Sequence, residues 1–253
     1  MSDGAPSLLL FLLVFIGLWL FNHAQYQKRP AVVLRHIAAY ELIRNAMAEA
    51  AEDGRPLLLS LGTAGISDSN AMQTVAALSA LEYLAEQSIV STNTPLVTMA
   101  NPTTLLLAQD IAARPFEASG RLPQFEPRTV RFMGGSGEVA ASAYAAGLLD
   151  LLDRREVAAS FLLGHFGDEC VVLGEASARH EVLQVAGSGT PAALALMALT
   201  ADHLLIGEEL FAAGAYLSRR PWHVSGLLAQ DSARWIVITV VGVVVVLKTF
   251  GLT

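Results

Sequence analysis

The chain has a single cysteine, Cys170, among its 253 residues. No disulfide framework is open to it, and neither a CxxC pair nor an HExxH run supplies the ligand spacing of a zinc site. Charge is sparse too: 15% of residues are charged, and 16 Lys and Arg stand against 23 Asp and Glu, for a net charge of −7. That balance leaves no broad basic surface and argues against nucleic acid as a partner. No lysine follows a glycine-rich turn as in a phosphate loop, and no third glycine completes a dinucleotide fingerprint. "MGGSGEVA" fails the G-x-S-x-G nucleophile pattern because Glu138 stands where the last glycine belongs, so a flexible turn is the better reading of Ser136. No nucleophile–base pair, metal constellation or cofactor fingerprint is legible; the chain is read with no cofactor and no metal, and enzymatic activity is unsupported by motif.

Apolar residues are abundant instead, at 53% with a mean hydropathy of +0.48, too apolar for an ordinary soluble domain. The excess lies at the two ends, in "LLLFLLVFIGLWLF" from Leu8 to Phe21 and "WIVITVVGVVVVLKTFGL" from Trp235 to Leu252. Each falls slightly short of the roughly 20 residues that cross a bilayer, but Ala5, Pro6 and Ala24 extend the first and Lys248 can snorkel from the second. Two transmembrane helices are expected. The alternative for the first is a cleaved signal peptide, yet "MSDGAPS" carries no cation and Asn22 stands where cleavage wants a small residue. The alternative for the second is a buried Val-rich strand; its terminal position and the Arg234–Trp235 boundary favour the membrane. Lys28, Arg29 and Arg35 follow the first run and Arg219, Arg220 and Arg234 precede the second, so residues of about 25–234 are expected in the cytoplasm with both termini outside.

The expected organisation is an N-terminal anchor at 1–29, a stalk or linker helix at 30–54, a cytoplasmic α/β domain at 55–221 and a C-terminal anchor at 222–253. The linker helix begins after Pro30 and ends at Gly54; it either leads out of the membrane as a stalk or packs on the domain. From Pro56, short β-type runs alternate with Ala/Leu-rich helical runs. Strands are predicted at Leu57 to Gly62, Pro95 to Ala100, Thr129 to Gly134, Ala159 to Gly164, Cys170 to Glu175, Glu181 to Gly187 and Asp202 to Gly207. The fold expected is a three-layer α/β domain with a mostly parallel, Rossmann-like sheet. The stretch from "LLGHFGDE" to "QVAG" shows no helix between its strands and is read as a hairpin or meander insertion.

Candidate ligand residues lie where strands of such a sheet end. "GTAGISDS" offers Thr63, Ser67 and Asp68 between a strand and a helix N-terminus, and is read first as a turn with a good cap, a ligand loop being the alternative. "NPTT" offers Asn101 and Thr103, for which capping is a sufficient explanation. "GHFGDECVVLGE" holds His165, Asp168, Glu169, Cys170 and Glu175, with Asp168, Glu169 and Glu175 as an acidic cluster at a strand end, and Glu208 and Glu209 follow another strand as favourable N-terminal acids of a helix. The helices "AMQTVAALSALEYLAEQ" and "EVAASAYAAGLLDLL" are poor in charge nearly all round and must be covered on more than one side. The cover is either the sheet plus the membrane-proximal stalk or a neighbouring copy, and copies are favoured because a shared anchor lowers the entropy lost on association.

The phrases "LSLGTAGISDSNAMQTVAALSALEYLAEQ", "ANPTTLLLAQD", "AYAAGLLDLL", "GHFGDE", "LGE" and "IGEELFAAGAYLSRRP" resemble those of a bacterial family of membrane proteins labelled only as a domain of unknown function. The resemblance runs from about Leu57 to Pro221, "FMGGSGEVAASAY" departing from it. It implies membrane association and a shared α/β domain, and brings no activity. The function expected is that of a membrane-anchored assembly protein whose α/β domains form a homo-oligomer. The alternative is a tethered small-molecule-binding or enzymatic domain with its site at the strand carboxyl ends. The bilayer, further copies and other membrane proteins are the partners envisaged.

Overall fold

A computed structural model describes residues 5–28, 34–91, 93–134, 140–154 and 157–249. The chain forms two compact units, one of residues 36–218 and one made of 1–35 with 219–253.

The larger unit is an α/β domain around six parallel strands: β1 (Leu58–Gly62), β2 (Leu96–Met99), β3 (Val130–Phe132), β4 (Ala159–His165), β5 (Leu183–Ser188) and β6 (His203–Ile206). Their spatial order is β3-β2-β1-β4-β5-β6. β1 pairs β2 on one side, with Leu59 opposite Val97, and β4 on the other, with Leu59 opposite Phe161. β1 is buried along its whole length and β4 up to His165, because both faces of the sheet are covered, as a parallel sheet requires. Leu59, Leu61, Val97, Phe161 and Leu163 enter the core beneath α2 (Ala38–Asp53), α3 (Ala71–Ser91), α4 (Pro102–Ala118), α8 (Glu208–Phe211) and α9 (Ala213–Leu217). Leu58, Leu96, Leu162 and Ala186 enter a second core beneath α5 (Ala140–Asp153), α6 (Glu169–Arg179) and α7 (Pro191–Met197). Helices on both faces make the three layers expected.

Two expectations are corrected. The segment Cys170 to Glu175 is not a strand but the first half of α6, with Cys170, Leu173, Gly174 and Ser177 buried at helical spacing; among the described residues no hairpin or meander interrupts the sheet and every strand pairing is parallel. Short apolar runs do not distinguish a strand from a buried helix face, and the acids at its start and Arg179 in its last turn complement a helix dipole. Secondly, α2 begins at Ala38 rather than just after Pro30, and of the two readings of residues 30–54 its residues take the packed one: Tyr40, Ile43, Met47 and Ala50 are buried, and Tyr40 stacks on Tyr216 at 5.0 Å. Of the two covers expected for the charge-poor α3, the sheet and α2 are present within its own unit, together with α4, α8 and α9, and Ala77, Leu81 and Leu84 are inaccessible. Helix α5 is likewise covered by the sheet and α6. "GGSGE", with Ser136 and Glu138, lies outside the described residues.

The smaller unit pairs α1 (Ala5–Lys28) with α10 (Pro221–Thr249). Both are long and apolar enough to cross a membrane. Their polar ends are joined: Asn22 Nδ2 donates to Ser232 Oγ at 3.3 Å, and His23 Nδ1 lies 3.1 Å from Ser225 Oγ.

Candidate functional site at the strand switch point

The strand order reverses between β1 and β4. The chain leaves β1 toward helices on one face and β4 toward helices on the other, so the two loops diverge at the carboxyl ends, where open α/β sheets usually form the crevice that takes a ligand. The sheet is irregular at this point. Ser60 pairs with Leu162, but Gly62 pairs with His165, so β4 carries one extra residue. That bulge contains Gly164 at φ +137, where a Cβ would fall 2.4 Å from Leu61 O; Gly62, at φ +80, approaches His165 O so closely that its own Cβ would lie 2.2 Å away. A bulge re-aims the side chain beside it. Here it turns His165 across the crevice, its Nε2 3.4 Å from Asn70 Nδ2 and its Nδ1 3.2 Å from Thr190 Oγ1.

A polar chain continues from there. Gln73 Nε2 donates to Thr190 Oγ1 at 3.2 Å, and Gln73 Oε1 accepts from Ser188 Oγ at 2.9 Å and from Gly189 N at 2.8 Å. The loops after β1, β4 and β5 are thus tied by side chains, which holds His165, Asn70 and Thr190 half-exposed in a fixed arrangement.

The residues expected from sequence gather next to this chain. Asp68 Oδ2 accepts from Gly65 N at 2.5 Å and from Asn101 Nδ2 at 3.3 Å. Asn101 caps α4 through Thr103 N at 3.0 Å, and Thr103 Oγ1 donates to Asn101 Oδ1 at 2.7 Å and accepts from Ile66 N at 3.3 Å. Thr63 leans the other way, its N and Oγ1 both donating to His165 O at 2.9 and 3.2 Å. Ser67 is exposed on the loop between them. Gly65 packs so close to Asn101 that a Cβ would lie 2.4 Å from Nδ2. The glycine-rich turn therefore spends its amides and its space internally: the N–H groups of Thr63, Gly65 and Ile66, which would face a phosphate in a phosphate loop, are given to His165, Asp68 and Thr103.

The acidic trio is dispersed. Asp168 stands at the start of α6, Glu169 folds back to accept from Gly167 N at 2.8 Å, and Glu175 pairs with Arg179 at 2.7 Å one turn along the exposed face. Among the described residues no three His, Cys, Asp or Glu side chains gather to hold a metal. From sequence, His165 is named only within the expected hairpin, and none of Asn70, Gln73, Ser188 and Thr190 is singled out. Gly164 before His165 at a strand end was the available signal, since a glycine there marks a bulge.

The fold and crevice define a doubly wound α/β domain, flanked in sequence by two apolar helices. The chain belongs to the family described as Domain of unknown function (DUF6754), whose profile matches residues 4–253, both apolar helices included. Neither a curated protein nor a solved structure matches it.

Proposed function

We propose that the chain is a membrane-anchored α/β protein whose switch-point crevice binds a small polar ligand, neutral or cationic and not phosphorylated. One observation carries this: no segment leaving a strand end toward the next helix (63–70, 100–101, 133–139, 166–168, 189–190 and 207) contains a Lys or Arg, whereas these segments contain Asp68, Glu138 and Asp168. A phosphate would meet carboxylates and already committed amides. A hydroxyl or ammonium group would find His165, Asn70, Thr190 and Asp68. Fold alone does not choose a ligand, since α/β sheets host many. Anchoring rests on the apolar side chains from Trp235 to Val246 and along α1, which are largely exposed and need lipid to cover them. A cytoplasmic α/β unit with both termini outside is the orientation that Lys28, Arg29, Arg35, Arg219, Arg220 and Arg234, on the inner flanks of the two spans, support.

The test is thermal unfolding of the full chain in mild detergent against panels of small organic amines, uncharged polyols and nucleotides. The expected result is a raised Tm with a member of the first two panels, lost in Asp68→Asn and His165→Ala. Stabilisation by nucleotides alone, or one unchanged in both variants, overturns the reading.

Self-association is the second reading. With α3 covered internally, it rests on the apolar side chains left exposed on α3 and α4: Met72 at 66%, Val75, Leu106 at 72% and Leu107. Light scattering in detergent that finds only monomers would sink it.

A further inference from the structure

Charge in this chain is segregated by unit. Residues 36–218 hold nine arginines and no lysine against twenty-one carboxylates. The polar stretches 22–35 and 219–234 hold six cations, Lys28, Arg29, Arg35, Arg219, Arg220 and Arg234, against the single acid Asp231, which lies 3.7 Å from Arg234. These two stretches adjoin the apolar runs, and the bonds from Asn22 to Ser232 and from His23 to Ser225 bring the polar end of α1 against the polar half of α10. Lys28, at the end of α1, and Arg219 and Arg220, just before α10, therefore flank the same seam.

The apolar parts are short. As helix, the apolar runs Leu8 to Phe21 and Trp235 to Leu252 would rise about 21 and about 27 Å at 1.5 Å per residue, against a hydrocarbon core of about 30 Å. A span somewhat short of that thickness thins the bilayer or draws its flanking polar residues toward the headgroups, which brings the cations nearest the runs, Lys28, Arg29 and Arg234, to phosphate. Aromatic side chains accompany the cations along or beside these polar stretches and at the start of the second apolar run. Trp19 stacks on His23 at 5.4 Å, Arg220 sits 5.3 Å over the Trp222 ring, and Trp235 is 69% exposed.

We infer that this basic collar holds anionic lipid headgroups, choosing them over zwitterionic ones by net charge. The partner is the lipid surface itself, identified by complementarity: the collar is the one strongly cationic region of a chain otherwise dominated by carboxylates. The inference is independent of the crevice, since no crevice residue belongs to the collar.

The experiment uses the full chain in nanodiscs of equal phosphatidylcholine and phosphatidylglycerol, read by native mass spectrometry of the lipids retained. Phosphatidylglycerol should be retained over phosphatidylcholine. Arg219→Gln with Arg220→Gln should lower that preference by about fivefold per cation removed. Arg219→Lys with Arg220→Lys should keep it, which guards against loss through misfolding, and Arg114→Gln with Arg154→Gln in the α/β unit should leave it unchanged. Equal retention of the two lipids by the wild type, a preference that survives the glutamine pair, or the same loss in the Arg114 and Arg154 control would each overturn the proposal.

Discussion

At the scale of single residues, the crevice depends on backbone positions that admit no side chain. Gly62→Ala would place a methyl against His165 O and force an L residue to positive φ. The expected cost is about 2–4 kcal/mol in urea unfolding, together with loss of any ligand response, because the bulge that aims His165 cannot survive the clash. Two buried groups make a pH prediction. Burial pushes the Cys170 thiol up to about 11, the neighbouring Glu169 charge adding to it. Burial also pushes the Tyr144 phenol up to about 12, against the opposing pull of its hydrogen bonds with Ser60 and Thr98. Both groups ionise more readily unfolded, so their contribution is complete below about pH 9 and is lost as pH rises through the folded values. That loss is at most about 3 kcal/mol for each. Urea midpoints should therefore fall between pH 9 and 12, and fall less steeply in Cys170→Ala and Tyr144→Phe; equal slopes in all three proteins would refute the assignment.

At the scale of elements, most boundaries were legible because their signals are local. Asn101 and Pro102 open α4 where a cap and a first-turn proline predict, and Gly54 closes α2 in the left-handed conformation. The failure over Cys170 to Glu175 shows what local signals miss. "CVVLG" is β-branched and apolar, as a buried strand would be, and only its packing partners reveal the helix. A pair of substitutions separates the two. In a strand, Val172 and Gly174 share a face; in α6, Val172 is 45% exposed, while a Cβ on Gly174 would fall 1.9 Å from Thr200 Oγ1. Val172→Lys should change stability by less than about 0.5 kcal/mol and Gly174→Ala should cost about 1–3 kcal/mol, measured by chemical denaturation. Edge strand β6 carries its own protection: the Ile206 N–H is taken by Glu209 Oε2 at 3.0 Å, which blunts its use as a template for another strand.

At the scale of the whole molecule, the core clusters lie entirely within residues 36–218. That segment, expressed alone, should fold cooperatively and stay soluble without detergent, whereas the full chain should need detergent or lipid. An unfolded fragment by circular dichroism would show that the flanking helices are required for folding. What the sequence by itself determined about this protein is what depends on neighbours in the chain: the two apolar runs, the alternation of strands and helices, and the parallel α/β class that follows from it. Asp68, Asn101 and Thr103 could be named for the same reason, because strand ends and caps are local features. Only the tertiary structure decided the order β3-β2-β1-β4-β5-β6, the bulge that turns His165 toward Asn70 and Thr190, and the tie from Gln73 to Ser188, 115 residues away in the chain. It also decided that the charge-poor α3 is covered by α2, α4, α8 and α9 of its own chain. The physical reason is common to all of these. Strand order and cross-loop hydrogen bonds join residues far apart in sequence, and the free energy that selects them comes from burial on both faces of the sheet at once, which no local window of residues contains.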